Sequence, residues 1–168
     1  NLERVEFSSI LRMLAFPVPH DDSENVALIA SDRSGDRAAI VTDLGEATND
    51  LLDHLSGCKH ISIEANYDHS RLINGPYPDS LKRRITGRGG HLSNTQTAQI
   101  LRKVVHSKLE SLVLCHLSEK NNAPHLAESE VLHSIGDDFG GSVSIASQKG
   151  PEFSNWTGQI DPLRLAIA

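Results

Sequence analysis

Short apolar runs alternate with polar breaks along the whole chain, and their spacing predicts a layered fold of strands and helices. Leu11 to Val18 reads as a strand closed by Pro17 and Pro19. Val26 to Ala30 and Arg37 to Val41 read as two more, joined by the turn-forming run Ser31-Asp32-Arg33-Ser34-Gly35-Asp36. Thr48 to Leu55 has helical spacing with Thr48 as N-cap, and His60 to Glu64 is a short strand. Pro78 to Thr86 sets Leu81 and Ile85 four apart on one helical face. After the break Gly87-Arg88-Gly89-Gly90, Ser93 is a natural N-cap for a helix running to about Val105, whose Ala98, Ile100, Leu101, Val104 and Val105 form its apolar side. Ser111 to Cys115 is a strand, Pro124 to Ile135 a helix and Ser142 to Ala146 a last strand. From Pro151 onward the chain reads as a tail or edge segment. Strands and helices alternate through the second half, so the expected class is α/β, or layered α+β.

Composition narrows this picture. A chain of 168 residues with 38% hydrophobic and 23% charged residues is globular and of single-domain size. No apolar run approaches the roughly 20 residues of a membrane-spanning helix. Asn1 stands where an initiator Met would, so an upstream segment is expected. Asn1 to Phe7 lacks the basic start and apolar core of a signal peptide. Cys58 and Cys115 are the only cysteines and have no metal-type spacing. Reduced thiols and a cytoplasmic location are the expectation.

Net charge is −6, which speaks against a general nucleic-acid coat. The distribution differs from the average. Between Arg71 and Lys108 lie eight basic residues opposed by Asp79 alone, among them Lys82, Arg83, Arg84 and Arg88. A local basic face can draw in a polyanion on an acidic protein. A solvated helix surface would account for the same pattern.

One arrangement recurs. His20, Asp43 and His116 each follow a short apolar strand directly. Strand ends combine rigidity with an open loop, and imidazole with carboxylate suits Zn²⁺, Mn²⁺ or Fe. Taken singly, a histidine after a strand is more often a hydrogen-bonded surface or core residue than a ligand. His54, His60, His106, His125 and His133 lack a matching partner pattern and are read as structural.

Three segments, Pro17-Val18-Pro19-His20-Asp21, Val41-Thr42-Asp43-Leu44-Gly45 and Cys115-His116-Leu117-Ser118-Glu119-Lys120-Asn121-Asn122, resemble successive metal motifs of the metallo-β-lactamase fold. Glu64-Ala65-Asn66-Tyr67-Asp68, Asn74-Gly75-Pro76-Tyr77-Pro78, Leu81-Lys82-Arg83-Arg84-Ile85, Gly90-His91-Leu92-Ser93-Asn94 and Ile145-Ala146-Ser147-Gln148 resemble its YycJ-like branch. The resemblance implies an αββα sandwich, of which residues 1–168 would be the C-terminal portion of a single domain. It implies His20 as a ligand of one metal, Asp43 as a bridging carboxylate and His116 as a ligand of a second metal. The cofactor would be two divalent ions, Zn or Mn. Asn66, Asp68 and His91 match motifs near the family's active site and would orient substrate or the groups around the ligands. The branch usually has His where this chain has Tyr67, with His69 two positions later.

The family's H-x-H-x-D-H motif is absent, since no two histidines are separated by a single residue. In the family that motif lies in the preceding half, so this chain alone is expected to be inactive. For the intact protein the resemblance implies a phosphodiesterase or nuclease using a metal-bridging hydroxide. Lys82, Arg83, Arg84 and Arg88 would then hold substrate phosphate. The same chemistry would serve a thioesterase or small-ester hydrolase. A third reading is an inactive half-domain that pairs with a complementary N-terminal segment or dimerises, because an open half-sandwich exposes apolar sheet surface.

Overall fold

Hydrophobic alternation becomes one mixed sheet in the computed structural model, which describes residues 3–6, 11–21 and 24–147. Its strands lie in chain order: β1 (Glu3–Glu6), β2 (Arg12–Val18), β3 (Asn25–Ser31), β4 (Arg37–Val41), β5 (His60–Glu64), β6 (Ser111–Cys115) and β7 (Ser142–Ile145). The first four pair antiparallel, and β4 through β7 pair parallel. Adjacent antiparallel strands need only turns. The β3–β4 loop closes on Asp32, whose carboxylate accepts from Asp36 N at 2.9 Å, with Gly35 at φ +88°. Each parallel step needs a crossover, and helices supply them. The crossover from β4 to β5 is α1 (Asn49–Leu55); from β6 to β7 it is α5 (Pro124–Ile135). Between β5 and β6 the chain makes α2 (His69–Asn74), α3 (Asp79–Thr86) and α4 (Asn94–Val104).

Local chemistry fixes the helix starts. Thr48 caps α1 by accepting from Leu51 N at 3.1 Å. Ser93 and Gln96 form a reciprocal capping box on α4. Strand β1 and helix α2 were not legible as apolar runs. Residues 3–6 owe their strand state to pairing with β2, and α2 is a six-residue turn started by the Asp68 cap.

Among the described residues, only one face of the sheet is sealed. Phe16, Ile29, Val41, Ile63 and Leu114 point into a core closed by Leu51 and Leu55 of α1, Leu101 and Val104 of α4, and Val131 and Ile135 of α5. Each fully buried Leu or Ile contributes about 1.5–3 kcal/mol. On the opposite face Ile40 is 53% exposed and Val26 48%. The described residues thus form a sheet with one helical layer. The tail read from Pro151 onward, and Gln148, lie outside them.

Candidate metal centre

Strands β2, β4, β5 and β6 run in the same sense, so their C-terminal ends meet at one edge of the sheet. The register sets Val41 beside Ile63 and Glu64 beside Cys115. Asp43, Glu64 and His116 therefore emerge side by side, with Glu64 in the middle. Asp43 and His116 both take φ +55°, a left-handed conformation uncommon for residues with a Cβ. The local cost is accepted where the surrounding bonds over-determine it, and here those bonds converge on Glu64.

Glu64 has no exposed surface. Its Oε2 accepts from Asp43 N at 2.6 Å and from His116 Nδ1 at 2.9 Å. Its Oε1 accepts from Leu92 N at 2.9 Å and from His91 Nδ1 at 3.0 Å. Burial is the largest influence on this carboxyl and opposes ionisation. The His116 and His91 hydrogen bonds together outweigh it, and Glu64 is held below the ordinary carboxylate range. The same hydrogen bond raises the His116 pKa, against the opposing effect of burial.

A carboxylate can only accept, so its two imidazole partners carry their proton on Nδ1. Neutral imidazole then has its lone pair on Nε2. His20 follows the same rule with a different anchor, since its Nδ1 lies 2.9 Å from the Gly90 carbonyl oxygen. Three histidines are thus held at Nδ1 from behind. Their rings are neighbours, with centroids 4.9 Å apart for His20 and His91 and 5.3 Å for His91 and His116. Asp43 Oδ1 lies 3.9 Å from His20 Nε2 and 3.6 Å from His116 Nδ1. Asp43, Glu64, His91 and His116 bring ligand-type atoms within 4.8 Å of one another. Imidazole nitrogens with one half-buried carboxylate, each imidazole backed by an acceptor, make a donor set that suits a transition metal. With both its oxygens occupied, Glu64 orients the His91 and His116 imidazoles.

A cavity of about 410 Å³ opens above these rings. His20, His91, His116 and Asn66 line it together with Tyr77, Leu81, Ile85, Arg84 and Lys120.

Comparison with known proteins follows this geometry. No family model matches the chain. It is 31% identical over 134 residues to exodeoxyribonuclease YycJ of Bacillus anthracis, which covers 78% of this chain and 50% of that protein. It is 30% identical over 107 residues to exodeoxyribonuclease WalJ of Streptococcus pneumoniae, covering 63% of this chain and 40% of WalJ. The chain thus spans half or less of the length of these relatives. Among solved structures, a diphosphatase from the PhnP family superposes with a TM-score of 0.52 at 15% identity, over 86% of this chain and 43% of its own. Zn²⁺-bound PqqB from Methylobacterium extorquens gives 0.51 at 19%, over 86% and 47%. The chain has the metallo-β-lactamase fold. Its sequence relatives lie in the YycJ-like branch that its motifs resemble.

Within that metallo-β-lactamase fold the expected residues take distinct places. His20, Asp43, His91 and His116 gather at the strand-end edge. Asn66 sits beside them and donates its side-chain amide to the His116 carbonyl at 2.8 Å, bracing the left-handed turn. Asp68 caps α2 by accepting from Arg71 N at 2.8 Å. Tyr67 is buried, and burial raises its pKa, while His69 is exposed on α2. Of the four basic residues, Arg84 lines the cavity and pairs with Asp21 at 2.6 Å. Arg88 pairs with Glu46 at 2.5 Å, Lys82 donates to the Ile73 carbonyl at 2.6 Å, and Arg83 is exposed.

Glu64, which orients these side chains, was not among the expected site residues, although it ends a strand as Asp43 and His116 nearly do. The other histidines have local partners. His54 stacks on Phe16 at 4.6 Å, and His60 Nδ1 meets Ser111 Oγ at 2.8 Å. His106 Nδ1 accepts from Lys108 N at 3.1 Å, and His125 and His133 are exposed on α5.

Proposed function

We propose that this chain supplies part of the active site of a divalent-metal-dependent phosphodiesterase that acts on nucleic acid. The observation that carries the reading is the set of neighbouring imidazoles locked at Nδ1 by Glu64 and the Gly90 carbonyl, with Asp43 beside them. His20 would hold one ion through Nε2, His116 a second, and Asp43 would bridge them. Zn²⁺ and Mn²⁺ both suit this donor set. When bound, such ions would acidify water and offset negative charge developing at phosphorus.

The remaining roles fall to the chain itself. His91, anchored at Nδ1 by Glu64, would orient the substrate beside the metal ligands. Asn66 keeps the His116 turn in place. Asp68 acts at a distance: by capping α2 and donating its N–H to the Asn121 carbonyl at 2.8 Å, it ties that helix to the loop after β6. Arg84 lines the cavity together with the imidazoles. Its partner Asp21 is an exposed carboxylate, and a substrate phosphate could displace it at small cost. Lys82, Arg83 and Arg88 would serve the phosphates further along the strand. The exodeoxyribonuclease names of YycJ and WalJ support a DNA substrate.

The test is cleavage of end-labelled DNA by the intact protein with Mn²⁺ or Zn²⁺. Asp43→Ala and His116→Ala should lose both cleavage and bound metal; wild-type activity and metal content in either variant would reject the assignment. Lys82→Glu with Arg83→Glu separates substrates, since undiminished DNA binding in that variant supports a small-ester hydrolase instead. The open sheet face around Ile40 and Val26 favours a covering segment or second copy, which native mass spectrometry of the intact protein would reveal.

A further inference from the structure

The cavity is lined by two chemical sets of side chains, and only one is explained by metal ligation. The other includes side chains of α3, a helix that adjoins His91 through the Ile85 carbonyl, which accepts from His91 N at 2.9 Å, and that contributes no fully buried residue to the core. Leu81 and Ile85 of that helix, four residues apart, are half-buried and line the cavity. Tyr77, on the loop between α2 and α3, lines it beside them. Lys120 Nζ, from the loop after β6, stands 5.8 Å from the Tyr77 ring centroid. A planar aromatic surface, two aliphatic side chains and a mobile ammonium thus share one pocket with the candidate metal ligands. The volume of about 410 Å³ falls in the range of small-ligand sites, which is about 300–1,000 Å³.

We propose that this second set of side chains receives the terminal base of a single DNA strand, stacked on Tyr77 and flanked by Leu81 and Ile85, with Lys120 on an adjacent phosphate. The inference rests on the phosphodiesterase reading and deepens it, because it names what occupies the cavity when the scissile phosphate lies over the imidazoles. A nucleotide is amphipathic in the same sense as the pocket: its phosphate is anionic and its base is a flat apolar surface. Every base has a π-face, so the pocket would select an unpaired end without selecting its sequence. Tyr77 is a positioning residue in this account, since it touches the base and not the reacting phosphorus.

Single-stranded oligonucleotides ending in 2-aminopurine test this with the intact protein, first in EDTA, where binding is read without cleavage. Quenching of the terminal 2-aminopurine, and affinity about 5- to 100-fold above that for an oligonucleotide ending in an abasic sugar, are expected. Tyr77→Ala should erase the difference between the two oligonucleotides, and Tyr77→Trp should keep it. Equal affinity for base-ended and abasic-ended strands in the wild type would overturn the proposal without recourse to any variant. In Mn²⁺, terminal-nucleotide release should show the same preference as a KM effect with kcat nearly unchanged. Normal cleavage with no dependence on the terminal base rejects the pocket and leaves the nuclease standing. Quenching that depends on Tyr77, without cleavage of any DNA, supports the pocket and rejects the nuclease.

Discussion

Replacing Glu64 with Gln changes one oxygen to an amide and tests the hub directly. The carboxylate accepts from two backbone N–H groups and two imidazoles, one of each on each oxygen. A Gln oxygen can keep one such pair. Its NH₂ must face the other, donor against donor. The imidazole in that pair can escape by moving its proton to Nε2 and accepting at Nδ1. The backbone N–H, of Asp43 or of Leu92, has no such option. One unsatisfied buried donor costs about 1–3 kcal/mol, and loss of charge from the surviving bonds adds to this, for a total of about 2–4 kcal/mol. For a chain of this size that lowers Tm by about 5–15 °C. Where that imidazole is His116 it loses its coordinating lone pair, and where it is His91 the neighbouring ligands lose their support, so metal affinity should fall about 10- to 100-fold. Calorimetric melting of the metal-free protein, Zn²⁺ titration, and two-bond proton–nitrogen spectra of the imidazoles read the three effects. Unchanged Tm and affinity, with Nδ1 still protonated on both His91 and His116, would refute the reasoning.

Three further outcomes follow from other parts of the molecule. Asn94 and Asn122 exchange side-chain amide bonds at 2.8 and 2.9 Å while both are buried, and Asn122 also donates to the Ala65 carbonyl at 2.8 Å. Asn122→Leu should cost about 2–4 kcal/mol in denaturant unfolding, and a loss under 0.5 kcal/mol (on the order of a surface change) would contradict this. Gly90→Ala would set a Cβ 2.1 Å from the Ile85 carbonyl oxygen, displacing the carbonyl that anchors His20. Stability should drop by about 1–3 kcal/mol with weaker metal binding, and intact Zn²⁺ affinity would argue against the anchor. Burial raises both thiols, so Cys58 and Cys115 should have less thiolate than a free cysteine at pH 8. Alkylation by iodoacetamide should therefore be slower than that of glutathione and accelerate as pH rises; rates equal to glutathione would contradict the burial.

Much of the architecture was legible because the signals are local. The apolar alternation of Arg37–Val41, His60–Glu64 and Ser111–Cys115 needs no partner to be read, and Thr48 and Ser93 announce their helices by capping chemistry. Strand β1 was illegible because Glu3–Glu6 becomes a strand only by pairing with β2. Helix α2 is too short for a periodic signal. At the site, His20, Asp43 and His116 were found by one rule, polar residues just beyond a strand. Glu64 obeys that rule too, but its role depends on lying between Asp43 and His116, which only parallel pairing of β4, β5 and β6 provides. The basic run shows the opposite limit. Its charges are plain in the sequence, yet Arg84 and Arg88 meet Asp21 and Glu46, from which they are separated by 63 and 42 residues.

In the proposed site His20 and His116 would hold divalent metal through Nε2 beside Asp43, with their Nδ1 atoms anchored by the Gly90 carbonyl and Glu64. Anomalous diffraction from crystals of the intact protein soaked in ZnCl₂ tests it most directly. The account predicts anomalous peaks beside Asp43 that are ligated by Nε2 of His20 and by Nε2 of His116. Peaks elsewhere, or ligation through Nδ1 of either histidine, would contradict it.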